Sequence, residues 1–123
     1  MKHVYYDIYS IAVNIPINYS NPEIPWNISI EKIYEKIENL HIEEVEKPAL
    51  VFFDLPQSTM NQIFINLVSQ SKSMNYLYKK SMYDEFVIQV LILYDRINKK
   101  RIAIAAFEVI NNEIQDKASI IWL

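Results

Sequence analysis

Acidic side chains crowd residues 31–47 of this sequence, where only three lysines and one histidine accompany them. The acids of this stretch are Glu31, Glu35, Glu38, Glu43, Glu44 and Glu46. On a helix, residues 31, 35 and 38 share one face. A ridge of carboxylates can steer and dock a basic partner, which raises both association rate and specificity. An ordinary solvated helix face is the alternative interpretation.

Aromatic residues close to this stretch could anchor such a contact, because buried aromatic side chains often dominate binding energy. Tyr34 belongs to the same predicted helix, and Trp26 lies in the proline-containing loop before it. We therefore expect one partner-binding surface made of Glu31, Glu35, Glu38, Glu43, Glu44, Tyr34 and Trp26.

Basic residues gather later in the chain, with tyrosines 76, 78 and 83 close to some of them in sequence. Cations interleaved with aromatic rings can bind single-stranded nucleic acid, whereas lysines at a hairpin tip also keep turns soluble. A nucleic-acid-binding accessory protein is thus an alternative function. Its contact residues would be Lys79, Lys80, Arg96, Lys99, Lys100 and Arg101.

Residues able to catalyse a reaction are few. The chain has no glycine and no cysteine, which removes glycine-rich phosphate loops, nucleophile elbows and thiol chemistry. Its two histidines, His3 and His41, cannot form a three-histidine metal site. Asp54 follows a predicted strand, where a turn aspartate is the simpler interpretation, and Glu108 is the lone charge of an apolar strand. We expect no enzyme, no cofactor and no metal.

His3 and Asp7 lie on the same side of the first predicted strand, four residues apart. That spacing separates them by about 13 Å, which is too far for direct pairing. Each could instead meet a partner from another strand.

Composition indicates one globular domain over residues 1–123, with 51% hydrophobic residues and a net charge of −3. Charge is uneven, since residues 1–60 hold nine acids and four bases, and residues 61–123 hold six acids and eight bases. No apolar run is long enough to span a membrane and the first ten residues lack a signal-peptide core, so we expect a cytoplasmic protein. The abundance of Ile, Asn and Lys suggests AT-rich coding, as in mobile or viral elements.

Hydrophobic periodicity predicts the order βαβαβββ. The predicted strands are 3–15, 49–53, 85–94, 101–110 and 117–122, and the predicted helices are 30–40, capped by Ser29, and from Ser58 as cap to 70. Residues 41–47 are expected to form an exposed strand or a loop, and residues 71–81 a loop with room for a short strand. Without glycine, asparagine must take left-handed turn positions, which we expect at Asn98, Asn111 and Asn112.

The predicted fold class is α+β, with a mixed or antiparallel sheet of about five strands, a C-terminal β-meander, and two helices mainly on one face. The central strands are apolar on both sides, so one face would remain bare. A bare apolar face would indicate a homodimer or another interface, unless loops cover it.

Taken together, these observations favour a small non-enzymatic inhibitor that covers the basic active site of another protein. Immunity proteins of toxin systems and anti-defence proteins of phages or mobile elements are of this kind, and a nuclease is one expected target. A homodimeric structural protein is the remaining alternative.

Overall fold

A computed structural model describes residues 2–16, 27–45, 47–71, 79–80 and 85–123. Trp26, Tyr76, Tyr78 and Tyr83 lie outside the described residues. The strands are β1 (His3–Pro16), β2 (Leu50–Pro56), β3 (Lys79–Lys80), β4 (Glu85–Asp95), β5 (Lys100–Ile110) and β6 (Glu113–Trp122). The helices are α1 (Ile30–Ile37), α2 (Ile42–Val45) and α3 (Gln57–Gln70).

The strands form one antiparallel sheet in the order β2-β1-β4-β5-β6, with the short β3 paired to β4. The predicted α+β class, the five-stranded sheet and the C-terminal meander are confirmed. The short helix α2 shows that the expectation of an exposed strand or a loop over residues 41–47 is wrong, and the two-residue strand β3 lies in the segment 71–81, where a short strand was allowed.

The prediction that both helices pack on one face is wrong. Helix α1 buries Ile30, Ile33 and Ile37 against one face, and α3 buries Phe64 and other residues against the opposite face. The reason lies in β4 and β5, whose side chains alternate between two apolar clusters and therefore require cover on both sides. The premise of a bare face is overturned, and with it the argument for a homodimer through that face.

The sheet curls where β4 and β5 separate. Paired residues of these strands run from Asp95–Lys100 to Val90–Ala106, whereas β5 continues to Ile110 beside β6. Beyond this point Ile28 bridges Val109, with N–O distances of 2.8 and 3.0 Å in the two directions. The segment before α1 is thus fixed to the end of β5. Helix α1 then covers the apolar cluster that contains Ile92 and Ile104.

Several element boundaries differ from the predictions. Helix α1 is shorter than predicted and ends at Ile37. Helix α3 begins at Gln57 after Pro56, which offers no side-chain cap, so Ser58 lies inside the first turn. Asp54 belongs to β2 and faces Tyr5 of β1, because the pairing of these strands continues to His3–Pro56. Among the described residues, no helix is long and apolar enough to cross a membrane.

The turns confirm two of the three predicted left-handed asparagines. Asn111 and Asn112 have φ values of 52° and 70° and join β5 to β6. In the β4–β5 hairpin, Lys99 takes the positive φ of 54° instead of Asn98. The cause is Asp95, whose carboxylate accepts hydrogen bonds from the Asn98 backbone and side chain and so holds that residue in the body of the turn.

The Lys99→Gly variant should be more stable than the wild type by about 0.5–1 kcal/mol, because glycine adopts positive φ without a Cβ penalty. Chemical denaturation followed by circular dichroism measures this change. As the matched control, Asn98→Gly should lower stability because it removes the side-chain bond to Asp95. A loss of stability in Lys99→Gly would contradict this account of the turn.

Candidate functional site

The acidic surface, defined as Glu31, Glu35, Glu38, Glu43 and Glu44, lies on the exposed side of α1 and on α2. All five side chains are exposed. The opposite side of α1 buries Ile30, Ile33 and Ile37, and burying each isoleucine contributes about 1.5–3 kcal/mol. Apolar packing therefore fixes the side of α1 from which its glutamates project into solvent. Tyr34 is half-buried and packs against the core beside them.

Two side chains hold the N-terminus of α1. The Ser29 hydroxyl accepts from the Lys32 backbone N–H at 3.3 Å, as a helix cap. The Glu108 carboxylate of β5 accepts from the Ile30 backbone N–H at 3.0 Å. A negative charge is favourable at this end of the helix dipole. Glu108, the lone charge of an apolar strand, is thus a half-buried anchor between strand and helix.

Arg101, also on β5, holds the C-terminal end of α1. Its Nη1 donates to the Glu38 carbonyl at 2.7 Å and its Nη2 donates to the Leu40 carbonyl. The Nε atom is buried without a hydrogen-bond partner among the described residues. A cation satisfying the last carbonyls also suits the helix dipole. Two side chains of β5 therefore bind the two ends of α1, the helix that carries most of the acidic surface.

A polar cleft of about 420 Å³ separates the α1–α2 connection from the β4–β5 hairpin. Its walls bring together residues that the sequence suggested for two different functions. Its lining includes the acidic Glu38 and Glu43, the basic Lys99, Lys100 and Arg101, and Tyr94.

Tyr94 links this cleft to the core. Its ring packs edge-on against Tyr9 at a centroid distance of 5.7 Å. Burial raises the pKa of Tyr94, as do the negative charge of Glu43 and a hydrogen bond to that carboxylate, while Arg101 acts in the opposite direction. The hydroxyl therefore stays protonated and ties α2 to β4.

The two arginines of the basic set are engaged within the fold. Arg96 donates from Nε and Nη2 to the two oxygens of buried Asp7, at 3.0 and 2.8 Å. Arg101 binds the end of α1 as described above. Lys99 and Lys100 are exposed, and β3 carries Lys79 and Lys80, whose side chains lie outside the description.

The hairpin beside the cleft is rigidly built around Asp95, which is buried. One of its oxygens accepts from the backbone N–H groups of Ile97 and Asn98, each at 3.0 Å. The other accepts from the Asn98 side-chain amide at 2.8 Å. Desolvation acts to raise the pKa of Asp95, but these hydrogen bonds and the charge of Lys100 outweigh it, so the pKa lies below its ordinary value.

The remaining candidates for chemistry lie apart from the cleft, except His41. His3 Nδ1 lies 3.2 Å from Asp54 Oδ1, and both side chains are about half exposed at 53% and 54%. A hydrogen bond to Asp54, together with its charge, raises the pKa of Tyr5. His3 and Asp7 thus each meet a partner from another segment, as the sequence suggested. His41 is exposed and lines the cleft.

Within the described ranges, no group of three or more His, Asp or Glu side chains could hold a metal ion. No protein-family model, curated protein or solved structure matches the chain. Any functional argument for this protein therefore starts from its own residues.

Sequence reasoning missed the anchoring roles of Arg101 and Glu108 and the place of Tyr94 at the cleft. Arg101 was grouped with the hairpin lysines because they are adjacent in sequence. A usable signal existed for Glu108, since a lone charge within an apolar strand needs a partner when it is buried.

Replacing Arg101 by Met should lower stability by about 1.5–3 kcal/mol, because two hydrogen bonds from a charged donor to helix carbonyls are lost. Hydrogen exchange should speed up at the C-terminal end of α1 and in α2. The control Lys100→Met removes one neighbouring charge that makes no described hydrogen bond and should leave both readouts nearly unchanged. Equal effects of the two variants would contradict the anchoring role.

Asp95→Asn should reduce stability at neutral pH by about 1–2 kcal/mol, because a neutral amide accepts the hydrogen bonds of the turn more weakly than a carboxylate does. Because the folded pKa of Asp95 lies below its unfolded value of about 3.9, the stability from its carboxylate is fully present above that value. It is lost as pH falls through the folded pKa. The difference in free energy of unfolding between wild type and variant, which we call the gap, should therefore shrink below about pH 4.

Denaturation curves between neutral and acidic pH test this dependence. Glu113→Gln, at an exposed position, is the matched control and should show no such gap at any pH. A gap for Asp95→Asn that stays constant into strong acid would contradict the assignment.

Proposed function

We propose that this chain is a small non-enzymatic protein that binds another protein and blocks its basic site with the acidic surface. The observation that carries the proposal is the exposure of all five glutamates on helical segments anchored to β5. Association costs less when the backbone that carries the contacting groups is already ordered. A row of carboxylates on an anchored helix suits a site built to bind phosphates, such as that of a nuclease.

Two further observations support a binding role. The glutamates of α1 form no ion pair with the described basic side chains, so their charge is directed to solvent. Tyr34 is half-buried beside them and offers an aromatic contact. On this proposal the chain belongs with toxin-immunity proteins or with inhibitors of host defence from mobile elements, and acts in the cytoplasm.

The nucleic-acid alternative has less support than before. The guanidinium group of Arg96 binds Asp7, and that of Arg101 binds carbonyls at the end of α1. Lys99 and Lys100 remain as exposed cations of the hairpin, and they share the lining of the cleft with Glu38 and Glu43. These glutamates would repel a phosphate backbone that approaches the cleft.

The triple variant Glu31→Lys, Glu35→Lys, Glu38→Lys should weaken partner binding at least about tenfold and flatten its salt dependence. Thermal stability should change little, because these side chains are exposed. The partner is first isolated by affinity capture from cells of the native host, and binding is then measured by calorimetry at low and high salt.

The matched control makes the same change in net charge elsewhere, with lysines at the exposed positions Glu113, Asp116, Thr59 and Gln70. It should retain most of the affinity. Equal weakening by both variants would show that overall charge matters instead of this surface. A low-salt gel shift of single-stranded nucleic acid that is abolished by Lys99→Glu would favour the alternative and contradict the proposal.

A further inference from the structure

Strand β6 forms one edge of the sheet, and no described strand pairs with its outer side. The Leu123 backbone N–H donates to the Ile102 carbonyl of β5 at 2.8 Å. Because backbone groups of successive strand residues point to opposite sides, those of Ala118, Ile120 and Trp122 point away from β5. These three residues therefore present open N–H and C=O groups along the edge.

The second half of β6 lacks the usual protection of an edge strand. Natural edges carry charges, prolines or bulges that prevent pairing with another chain. The first half of β6 has such features, since residues 115–117 bulge between the pairs Phe107–Ala118 and Val109–Ile114 and include Asp116 and Lys117. The opposite edge strand, β2, contains Asp54 and Pro56.

From residue 118 onward the edge is uncharged and partly apolar on its surface. Its sequence, ASIIWL, has neither charge nor proline. Trp122 is 45% exposed and Leu123 is 50% exposed, although Trp122 also packs edge-on against Phe64 of α3. Ala118 and Ile120 are half-buried on the same face as Trp122. An open backbone and an apolar stripe thus coincide, as strand addition requires.

We propose that two copies of this chain associate by antiparallel pairing of Ala118–Trp122 with the same segment of the second copy, centred on Ile120. In this register Ala118 lies opposite Trp122 of the second copy, so a small side chain meets a large one. Lys117 lies opposite Leu123, and no like charges face each other. A shift by two residues would set either Asp116 or Ile120 opposite the tryptophan.

The proposed contact is modest in size. Stable interfaces bury at least about 1,200 Å² in total, and a short strand pair with one tryptophan and one leucine per copy falls near that limit. We therefore expect a dimer that dissociates on dilution. Its two-fold axis is perpendicular to the sheet, so α1 of both copies lies on one face of a continuous ten-stranded sheet.

Cysteine cross-linking tests the register directly, because the chain has no cysteine of its own. In the Ile120→Cys variant, the two sulfurs face each other across a strand pair with Cα atoms about 5.5 Å apart, within the range of a disulfide. Mild oxidation should convert most of this variant to a covalent dimer. The control Lys117→Cys places its sulfurs roughly 20 Å apart in this register and should stay mostly monomeric.

Equal cross-linking of the two cysteine variants, or more in the control, would overturn the proposal. Circular dichroism verifies that both variants are folded. Independently, sedimentation of the wild-type chain from low micromolar to near millimolar concentration should show a rising mass. A strict monomer over that range would also overturn it.

A charge placed in the stripe gives a third readout. Ala118→Lys should shift the sedimenting species to monomer, whereas Gln115→Lys, with the same charge change outside the paired segment, should not. None of these experiments requires the acidic surface or its partner, so a negative result here leaves the proposed inhibitory function standing.

Discussion

Apolar side chains on both faces of the central strands are the constraint on which the rest of this structure depends. In β4 and β5, successive residues alternate between two clusters, with Ile92 and Ile104 on one side and Leu93 and Ala103 on the other, all fully buried. Each face must be covered to remove this surface from water. The chain does so by placing α1 and α3 on opposite faces, which gives three layers instead of two.

The buried and half-buried charged groups lie where these layers end. Asp7 and Asp95 are the buried acids among the described residues, and each is satisfied, by Arg96 and by the hairpin turn respectively. Glu108 and Arg101 connect β5 to the two ends of α1. Because an unpaired buried charge is costly, each of these contacts also fixes a position in the fold. The helix that carries the exposed glutamates is thereby held in place against β5.

Local patterns predicted the elements well, and long-range geometry was harder. The alternation in β1 and the isoleucine spacing of α1 each follow from the period of one element, so the strand and the Ser29 cap were predictable. The face that each helix takes depends on how its flanking strands pair. The placement of β2 beside β1, at the edge of the sheet, is not encoded in any one segment. The helix faces were therefore predicted wrongly while the fold class was right.

The same distinction applies to the site. Exposure of Glu31, Glu35 and Glu38 follows from helical periodicity, since the buried isoleucines occupy the other side. The presence of Glu43 and Lys100 in the lining of one cleft does not, because the two residues are far apart in sequence. Arg101 shows the problem most directly. Its sequence neighbours Lys99 and Lys100 suggested a cationic patch, but its guanidinium turns inward to carbonyls of the α1–α2 connection, more than sixty residues earlier in the chain.

The absence of glycine changes what kind of recognition this fold can support. Lys99, Asn111 and Asn112 take the left-handed turn positions, each at a cost of order 1 kcal/mol that glycine would avoid. The chain also lacks the glycines with which a backbone loop most easily approaches a phosphate. Side chains are therefore the favoured means of recognition, and they recognise best when the element that carries them is fixed. The contacts of Glu108 and Arg101 with α1 meet that requirement, because they fix the helix that carries the carboxylates while leaving the carboxylates exposed.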